Sequence, residues 1–560
     1  MSSITLVVIA GLTSLGAYLV ATRVAGPRRP HDIMASPVPR PAATLILLRD
    51  GAGGVEVLIM QRAHQSAFLG GAYVFPGGAL DAADEGGDDP LAQYRAAAVR
   101  ECFEESGILL LHNAGGQISA ELAASLARYR SEPFADLLKK EGLRVSHDSL
   151  AYYGHWITAP GRSRRFDTRF FAALAPEGQE GSHDANEAVH QLWITPRDAL
   201  ERGDRGEIEL VFATRATLND LKEFASAAEA MRAVRARPEV ETNRACRAQG
   251  KDGPKLFRRA DPAYFEIHWS DPQETGQTTY DLAAGVPKRL DRWVTRIIAP
   301  NPGMMTGPGT NTYVIGEQEL AVLDPGPDIA SHLEKILEFK NIKWIVCTHT
   351  HMDHSPAAAA LKAATGAQVL GMPAPEGQDA TFKPDFVLEN GQRVEIGGAS
   401  GPITLRAIHT PGHASNHLCY LLEQTRMLFT GDHVMQGSTV VINPPDGDMR
   451  AYLQSLEKLL DEDLAVLAPG HDYLIGVPRK EIRRLIAHRL GRERKVLGGL
   501  EKLREASIDE LLPVVYDDVP PRVHRWAARS LSAHLGKLVA EGAVRASGER
   551  YSLVKSPPAG

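Results

Sequence analysis

The sequence predicts a multidomain protein of mixed α/β and α+β class. The chain has 560 residues, whereas single hydrophobic cores stop growing near about 250 to 300 residues, so at least two domains are expected. Its composition, 43% hydrophobic and 23% charged, is near the globular average and excludes a disordered or collagen-like chain. Short apolar runs typical of strands precede helical segments near residue 43 and again near residue 344.

The charge balance argues against a nucleic-acid-binding surface over the whole protein. The 62 Lys and Arg residues against 69 Asp and Glu give a net charge of -7, which mainly favours solubility. Because the four cysteines include no C-x-x-C pair, neither a disulfide framework nor a thiolate zinc site is expected, and a reducing compartment is indicated. These cysteines are Cys102, Cys246, Cys347 and Cys419.

The first 33 residues contain a candidate membrane anchor. Residues 4–22 are uncharged and long enough to cross a bilayer as a helix, and Arg23, Arg28 and Arg29 follow them. Basic residues on this side favour cytoplasmic domains, and the lack of Lys or Arg before residue 4 argues against a cleaved signal peptide. Two interpretations stay open: a single-pass anchor, or a misassigned start before Met34.

The first domain, residues 38–225, is expected to open with a β-hairpin and to continue with a helix. Apolar runs at 43–48 and 55–60 flank a turn that is rich in Gly. A helix over 91–106 follows, and Gly107 is the residue type that commonly ends a helix.

The end of this helix carries three carboxylates on one face, Glu101, Glu104 and Glu105. Oxygen-only ligands favour magnesium or manganese, whose usual work is to neutralise phosphates. A solvated acidic face is the alternative for three carboxylates alone.

The string RECFEESGI at residues 100–108, with FPGG at 75–78 upstream, resembles the Nudix box. That family folds as an α/β/α sandwich and hydrolyses nucleoside diphosphates linked to another moiety. The resemblance implies that Glu101, Glu104 and Glu105 hold magnesium, with Glu104 and Glu105 catalytic. The segments that resemble the coenzyme A diphosphatase subgroup are 61–63, 71–78, 155–160 and 165–171.

One position departs from the standard box. A glutamate usually stands eight residues before the arginine, and here that position is Ala92. Asp81 and Asp84 are candidates to replace it. An alternative hypothesis makes this domain a nucleotide sensor without catalysis.

Residues 226–288 are expected to be a linker, because Pro and Gly interrupt them repeatedly. The second domain, residues 289–475, carries HTHMDH at 349–354 directly after an apolar strand-like run. His349 and His351 alternate to one side of an extended segment, while Asp353 and His354 enter the next turn, so one loop can serve two adjacent metals.

Three single residues downstream complete a recognisable set. They are His413 in HTPGH, Asp432 in FTGD and His471 in APGH. The set resembles the metallo-β-lactamase signature, whose fold is a four-layered αββα sandwich. The resemblance implies one metal held by His349, His351 and His413, a second held by Asp353, His354 and His471, and Asp432 bridging both.

Two such ions lower the pKa of water and polarise the attacked oxygen, so phosphodiesters and thioesters both qualify as substrates. Nitrogen and carboxylate donors without thiolate favour zinc, with manganese or iron as alternatives. Asp353 is also expected to orient the hydroxide and to pass its proton to the leaving group. Residues 301–303, 309–316 and 322–326 resemble the β-lactamase-like endoribonuclease branch, while glyoxalase II shares the metal motif.

The last segment, residues 476–560, begins with a basic helix over 479–504. It either contacts RNA or packs on the hydrolase domain through Ile482, Leu485 and Ile486. Two further helices and a hairpin predict a winged helix, which resembles the tail of the endoribonuclease group.

The sequence thus predicts a bifunctional hydrolase with a binuclear centre and a Nudix diphosphatase site. One hypothesis is hydrolysis of RNA or nucleotides, and another is coenzyme A metabolism, in which one domain cleaves a diphosphate and the other a thioester. In a third hypothesis, the Nudix domain is a non-catalytic nucleotide sensor attached to an RNA-cleaving hydrolase.

Overall fold

The computed structural model describes residues 37–63, 70–84, 86–182, 188–399 and 401–554. The candidate anchor at residues 4–22 lies outside these ranges. Within them, no helix combines the length and the apolar character that a membrane crossing requires.

The amino-terminal domain is built on one mixed sheet. The hairpin expected near residue 43 forms between Arg40–Gly51 and Gly54–Arg62. Tyr73–Val74 and Gly77–Ala79 pair with the hairpin strands. In order across the sheet, the strands are Ala188–Ile194, Gly54–Arg62, Arg40–Gly51, Phe166–Leu174, Ala151–Ile157 and Thr242–Arg244.

Helices cover both faces of this sheet, which gives the α/β/α layers that the Nudix resemblance implies. Ala92–Ser106 packs on one face, and Gly107 ends it with a left-handed φ of 73°. Ala120–Leu126 and Phe134–Glu141 belong to the same side, next to a small sheet. The strands of that small sheet are Leu111–Asn113, Gly116–Gln117 and Arg144–Val145. The helices on the other face are Pro196–Asp204, Phe212–Leu221 and Ala227–Arg235.

The segment expected as a linker is ordered and packs on both neighbours. Helix Ala227–Arg235 buries its apolar face on the first sheet. Strands Cys246–Ala248 and Lys255–Phe257 form a hairpin, and helix Tyr264–Ser270 packs beside it. Tyr473 of the following domain joins the small apolar cluster of this segment.

The second domain consists of two facing sheets. The first contains Lys288–Arg289, Val294–Ile298, Asn311–Gly316, Leu320–Leu323, Ile342–Val346, Gln368–Gly371 and Phe386–Val387. The second contains Arg393–Ile396, Ile403–His409, Leu418–Leu422, Met427–Gly431, Val466–Pro469 and Ile475–Gly476. A buried apolar cluster fills the space between them.

Helices cover the outer face of each of these sheets. Ala330–Leu337 and Ala357–Thr365 pack on the first, and Met449–Leu459 and Pro478–Leu503 pack on the second. This is the predicted αββα order. Ile482 and Leu485 are buried, so the basic helix does pack on the hydrolase domain.

The carboxyl-terminal module has the predicted winged-helix elements. Helix Ile508–Val515 starts with a capping box at Ser507, and helix His524–Ala540 follows. The small sheet of this module contains, in order, strands Glu505–Ala506, Arg550–Leu553 and Val544–Ser547. Val496 and Leu500 of the long helix share its core.

Candidate metal centre and Nudix site

The ligand candidates of the second domain follow the carboxyl ends of strands in both sheets. The loop 349–354 follows strand Ile342–Val346 of the first sheet. His413, Asp432 and His471 follow three strands of the second sheet. All seven side chains converge beyond these strand ends in two groups, and within each group the ligand atoms lie within 4.8 Å of one another.

The first group consists of three histidines. His351 Nδ1 lies 3.0 Å from His349 Nε2 and 3.0 Å from His413 Nε2. The second group contains Asp353, His354, Asp432 and His471.

The Asp432 carboxylate lies between the two groups. Its Oδ1 is 3.5 Å from His354 Nε2 and 3.4 Å from His471 Nε2. Its Oδ2 is 3.7 Å from His413 Nε2 in the first group. Gly470 allows this approach, because a Cβ there would stand 2.7 Å from His354 Cε1.

Backbone and side-chain oxygens orient the imidazoles by accepting from the far ring nitrogen. His354 Nδ1 lies 2.9 Å from Asp324 Oδ2, His413 Nδ1 lies 2.8 Å from the Val441 carbonyl, and His471 Nδ1 lies 3.2 Å from the Gly309 carbonyl. With the proton on Nδ1, the Nε2 lone pair points into the cluster.

Burial and charge hold His349, His351 and Asp432 in the forms that bind cations, whereas nearby carboxylates outweigh burial and raise the pKa of His354 and of His471. Burial, together with the nearby His354 and His351, holds the pKa of His349 well below its usual value. Burial and His413 lower the pKa of His351 to about 4. Burial opposes ionisation of Asp432, but His471 and His354 hold the pKa of its carboxyl well below its usual range.

The residues fit a divalent metal. His354 Nε2, His471 Nε2 and Asp432 Oδ1 are buried and make no hydrogen bond to any residue that the structure describes. Leaving such groups unsatisfied is costly, and a cation between them removes the cost.

The three Nudix glutamates are placed differently. Glu105 is buried and accepts from the Gly77 amide at 3.1 Å, while Arg100 Nη1 donates to Glu101 at 2.8 Å and to Glu104 at 3.0 Å. Among the described residues, two groups of side chains have ligand atoms close enough to share an ion, and the three glutamates do not form such a group. Arg100 instead neutralises two of them.

Asp84, a candidate to replace the glutamate that the box lacks at Ala92, is paired with Arg100 of the box. Ala92 is buried at the first turn of its helix. Asp84 is also buried, and its Oδ1 accepts from Arg100 Nε at 2.8 Å. The backbone amide of Asp81 donates to the Asp84 carboxylate at 2.7 Å and so helps to hold it in place.

Two supporting residues had no role in the sequence analysis. Glu266 is fully buried, binds Arg296 and Lys288, and accepts from the Leu474 amide at 3.0 Å, three residues after His471. Arg489 is buried and donates to the Val440 carbonyl, next to the carbonyl that orients His413. A charged residue inside an otherwise apolar helical pattern, as at Glu266, is the only local signal of either role.

Three parts of the chain match known families. Residues 305–471 match the metallo-beta-lactamase superfamily. Residues 507–551 match the beta-lactamase associated winged helix domain. Residues 87–213 match the NUDT19 Nudix domain.

Curated relatives match somewhat less than half of the chain. "Thioesterase pkgB" of Emericella nidulans is 34% identical over 42% of this chain and 66% of its own length. "Atrochrysone carboxyl ACP thioesterase" of Aspergillus chevalieri is 31% identical over 49% of this chain and 88% of its own length. "Beta-lactamase-like protein 2 homolog" of Drosophila melanogaster is 31% identical over 46% and 92%, respectively.

Proposed function

This chain belongs to the metallo-β-lactamase superfamily and carries a Nudix domain and a winged-helix domain in the same polypeptide, and we propose that it is a hydrolase of coenzyme A-type substrates. In this proposal the binuclear centre cleaves an acyl thioester and the Nudix site cleaves a nucleoside diphosphate linkage. The observation that carries the proposal is the convergence of seven nitrogen and carboxylate ligands in two groups with Asp432 between them.

The first group would hold one ion through His349, His351 and His413, and the second group would hold another. Divalent ions there, zinc by preference and manganese or iron as alternatives, supply positive charge that makes water nucleophilic near neutral pH and stabilises the developing oxyanion. Magnesium or manganese is the corresponding proposal for Glu101, Glu104 and Glu105, and binding it requires Glu101 and Glu104 to turn from Arg100 towards the ion.

Asp353 is suited to handle the proton. Its side chain is 26% exposed, whereas that of Asp432 is 12% exposed. The Asp353 carboxylate can take a proton from the attacking water and give it to the departing sulfur. The proton leaves the water as the carbon–oxygen bond forms and reaches the sulfur as the carbon–sulfur bond breaks, which releases an acid and a thiol and regenerates the carboxylate.

Two of the reported relatives bear thioesterase names, which favours a thioester over a phosphodiester. The basic helix gives little support to RNA cleavage, because several of its cations have partners within the protein. Arg489 and Arg492 are buried against backbone carbonyls, and Lys495 binds Asp517 and Asp518.

The test compares four probes: acyl-coenzyme A, free coenzyme A, ADP-ribose and single-stranded RNA. Asp353→Ala should lose thioester hydrolysis and keep diphosphate cleavage, because the two centres lie in separate domains. Asp328→Asn, an exposed change in the same domain, is the control and should keep both. Cleavage of RNA with no release of thiol from acyl-coenzyme A would contradict the proposal.

A further inference from the structure

A cavity of about 2460 Å³ opens in front of the Nudix carboxylates, and the other parts of the chain build its opposite wall. Glu101, Glu104 and Glu105 line one side. The opposite wall, here called the composite wall, consists of lining residues from 241–265 and from 474–484.

The composite wall is fixed to both catalytic domains. Strand Thr242–Arg244 pairs in parallel with Ala151–Ile157 and so extends the Nudix sheet. Buried Arg165 of the Nudix domain donates to Glu274 at 3.0 Å. On the other side, Glu266 is buried among residues of the second domain. The wall therefore stands at a set distance from the Nudix glutamates.

Positive charge predominates on the composite wall. Among its described lining residues, Arg244, Arg258, Arg259, Lys480 and Arg484 are basic, and Glu241, Asp261 and Glu481 are acidic. Glu241 binds both Arg259, at 2.7 Å, and Lys480, at 2.9 Å, and Glu481 binds Arg484 at 2.6 Å, so the five cations of the wall outnumber its three carboxylates by two. Such a surface favours an anion.

Apolar side chains from three parts of the chain face the same cavity. Phe212 of the Nudix domain is 43% exposed, Leu256 is 45% exposed and Val477 is 38% exposed. The Arg258 guanidinium lies 3.7 Å above the Phe212 ring, and Phe212 contacts Trp156 edge to face. An aromatic ring beside a cation is suited to a nucleobase that carries a phosphate.

We propose that the Nudix site is a composite site, in which the linker segment and the helix after His471 bind the non-reacting half of the substrate. This rests on the proposed diphosphatase function and deepens it. The ligand is an extended nucleotide with its diphosphate at Glu101, Glu104 and Glu105. Its base lies near Phe212 and Arg258, and a further phosphate lies near Lys480 and Arg484. Diphosphate cleavage therefore depends on residues outside the Nudix domain.

The test compares the full-length chain with Arg258→Glu and with the double variant Lys480→Glu/Arg484→Glu. The probes are coenzyme A, which has a phosphate remote from its diphosphate, and dephospho-coenzyme A, which lacks that phosphate. Each variant should raise KM for coenzyme A by about tenfold to a hundredfold, the size of a lost charge-assisted bond. The double variant should change KM for dephospho-coenzyme A much less.

Arg483→Glu is the matched control, because Arg483 is exposed on the same helix and does not line the cavity. Binding of adenosine 3′,5′-bisphosphate, measured by calorimetry, gives a readout that does not need turnover. If neither probe is cleaved but the bisphosphate binds and the variants weaken it, the diphosphatase proposal fails and the composite site stands. Cleavage that the variants leave unchanged for both probes would overturn the composite site.

Discussion

The carboxylate of Asp324 accepts a hydrogen bond from His354 Nδ1 at 2.9 Å, and both side chains are fully buried. Asp324 also accepts from the Thr348 amide at 2.7 Å and from its hydroxyl at 2.8 Å. It thus joins the end of one strand to the loop that carries four ligand candidates. The acceptor fixes the His354 tautomer that offers Nε2 to the cluster.

Asp324→Asn should weaken one of the two metal sites by about tenfold to a hundredfold. If the new amide donates to Nδ1, the proton of His354 moves to Nε2, which then cannot act as a ligand. Metal analysis after dialysis should give about one ion per chain fewer than in the unmodified protein. Asp328→Asn should keep the full content, and equal metal content in the two variants would contradict the orienting role.

Glu266→Gln should destabilise the second domain by about 3 to 5 kcal/mol, because it leaves Arg296 and Lys288 buried without their counter-charge. The expected result is a clear fall in unfolding temperature, with looser metal binding through the loop that carries His471. Glu177→Gln, at an exposed position, should leave both unchanged. An unaltered melting curve for Glu266→Gln would show that the buried triad does not support the fold.

The same residue predicts how stability depends on pH. Burial opposes ionisation of Glu266, but Arg296 and Lys288 lower its pKa from 4.5 to about 2. Since the folded pKa is the lower one, the stabilisation is complete above about pH 4.5 and disappears as the pH falls towards 2. Unfolding by acid should therefore be shallower over this range in Glu266→Gln than in the unmodified protein.

Glu104→Gln should abolish diphosphate cleavage and leave the fold intact, because it removes a ligand charge and little volume. Circular dichroism checks the fold, and release of products from coenzyme A checks the activity. Glu132→Gln, exposed in the same domain, is the control. Full activity in Glu104→Gln would refute the assignment, and an inactive unmodified protein would favour the sensor hypothesis.

The sequence predicted the layers of each domain better than it predicted their connection. Periodicity and a glycine stop placed helix Ala92–Ser106 within one residue of its start. Local patterns also revealed the loop at 349–354, since four potential ligands fall within six residues. His413 and His471, by contrast, were recognisable only through family resemblance, because each is a single residue brought into place by sheet register.

Residues 226–288 show why the rest could not be predicted. Their many Pro and Gly residues are typical of a connector, yet Glu266 in this segment forms an ion pair with Arg296, 30 residues away in the chain. Neither residue type nor spacing indicates such a pairing. The pairing depends on how helix Tyr264–Ser270 packs against the second domain, and that packing exists only once the sheets have formed.

Arg489 of the long basic helix supports the backbone that orients His413. Its guanidinium donates to the Val440 carbonyl, and the neighbouring Val441 carbonyl accepts from His413 Nδ1 at 2.8 Å. Ser530 of the winged helix accepts from the next amide, that of Ile442, at 3.4 Å. The carboxyl-terminal helices thus hold the backbone that orients a ligand of the first group.

Arg489→Met keeps most of the side-chain volume but releases this backbone, so affinity for the ion at His349, His351 and His413 should fall by about fivefold to tenfold, less than for a direct partner of a ligand. Competition with a chelator measures the change without relying on turnover. Arg494→Met, exposed on the same helix, should match the unmodified protein. A general loss of stability would weaken the binding of both ions. Selective loss of one ion therefore supports the orienting role, whereas equal loss of both would show that Arg489 acts on the fold alone.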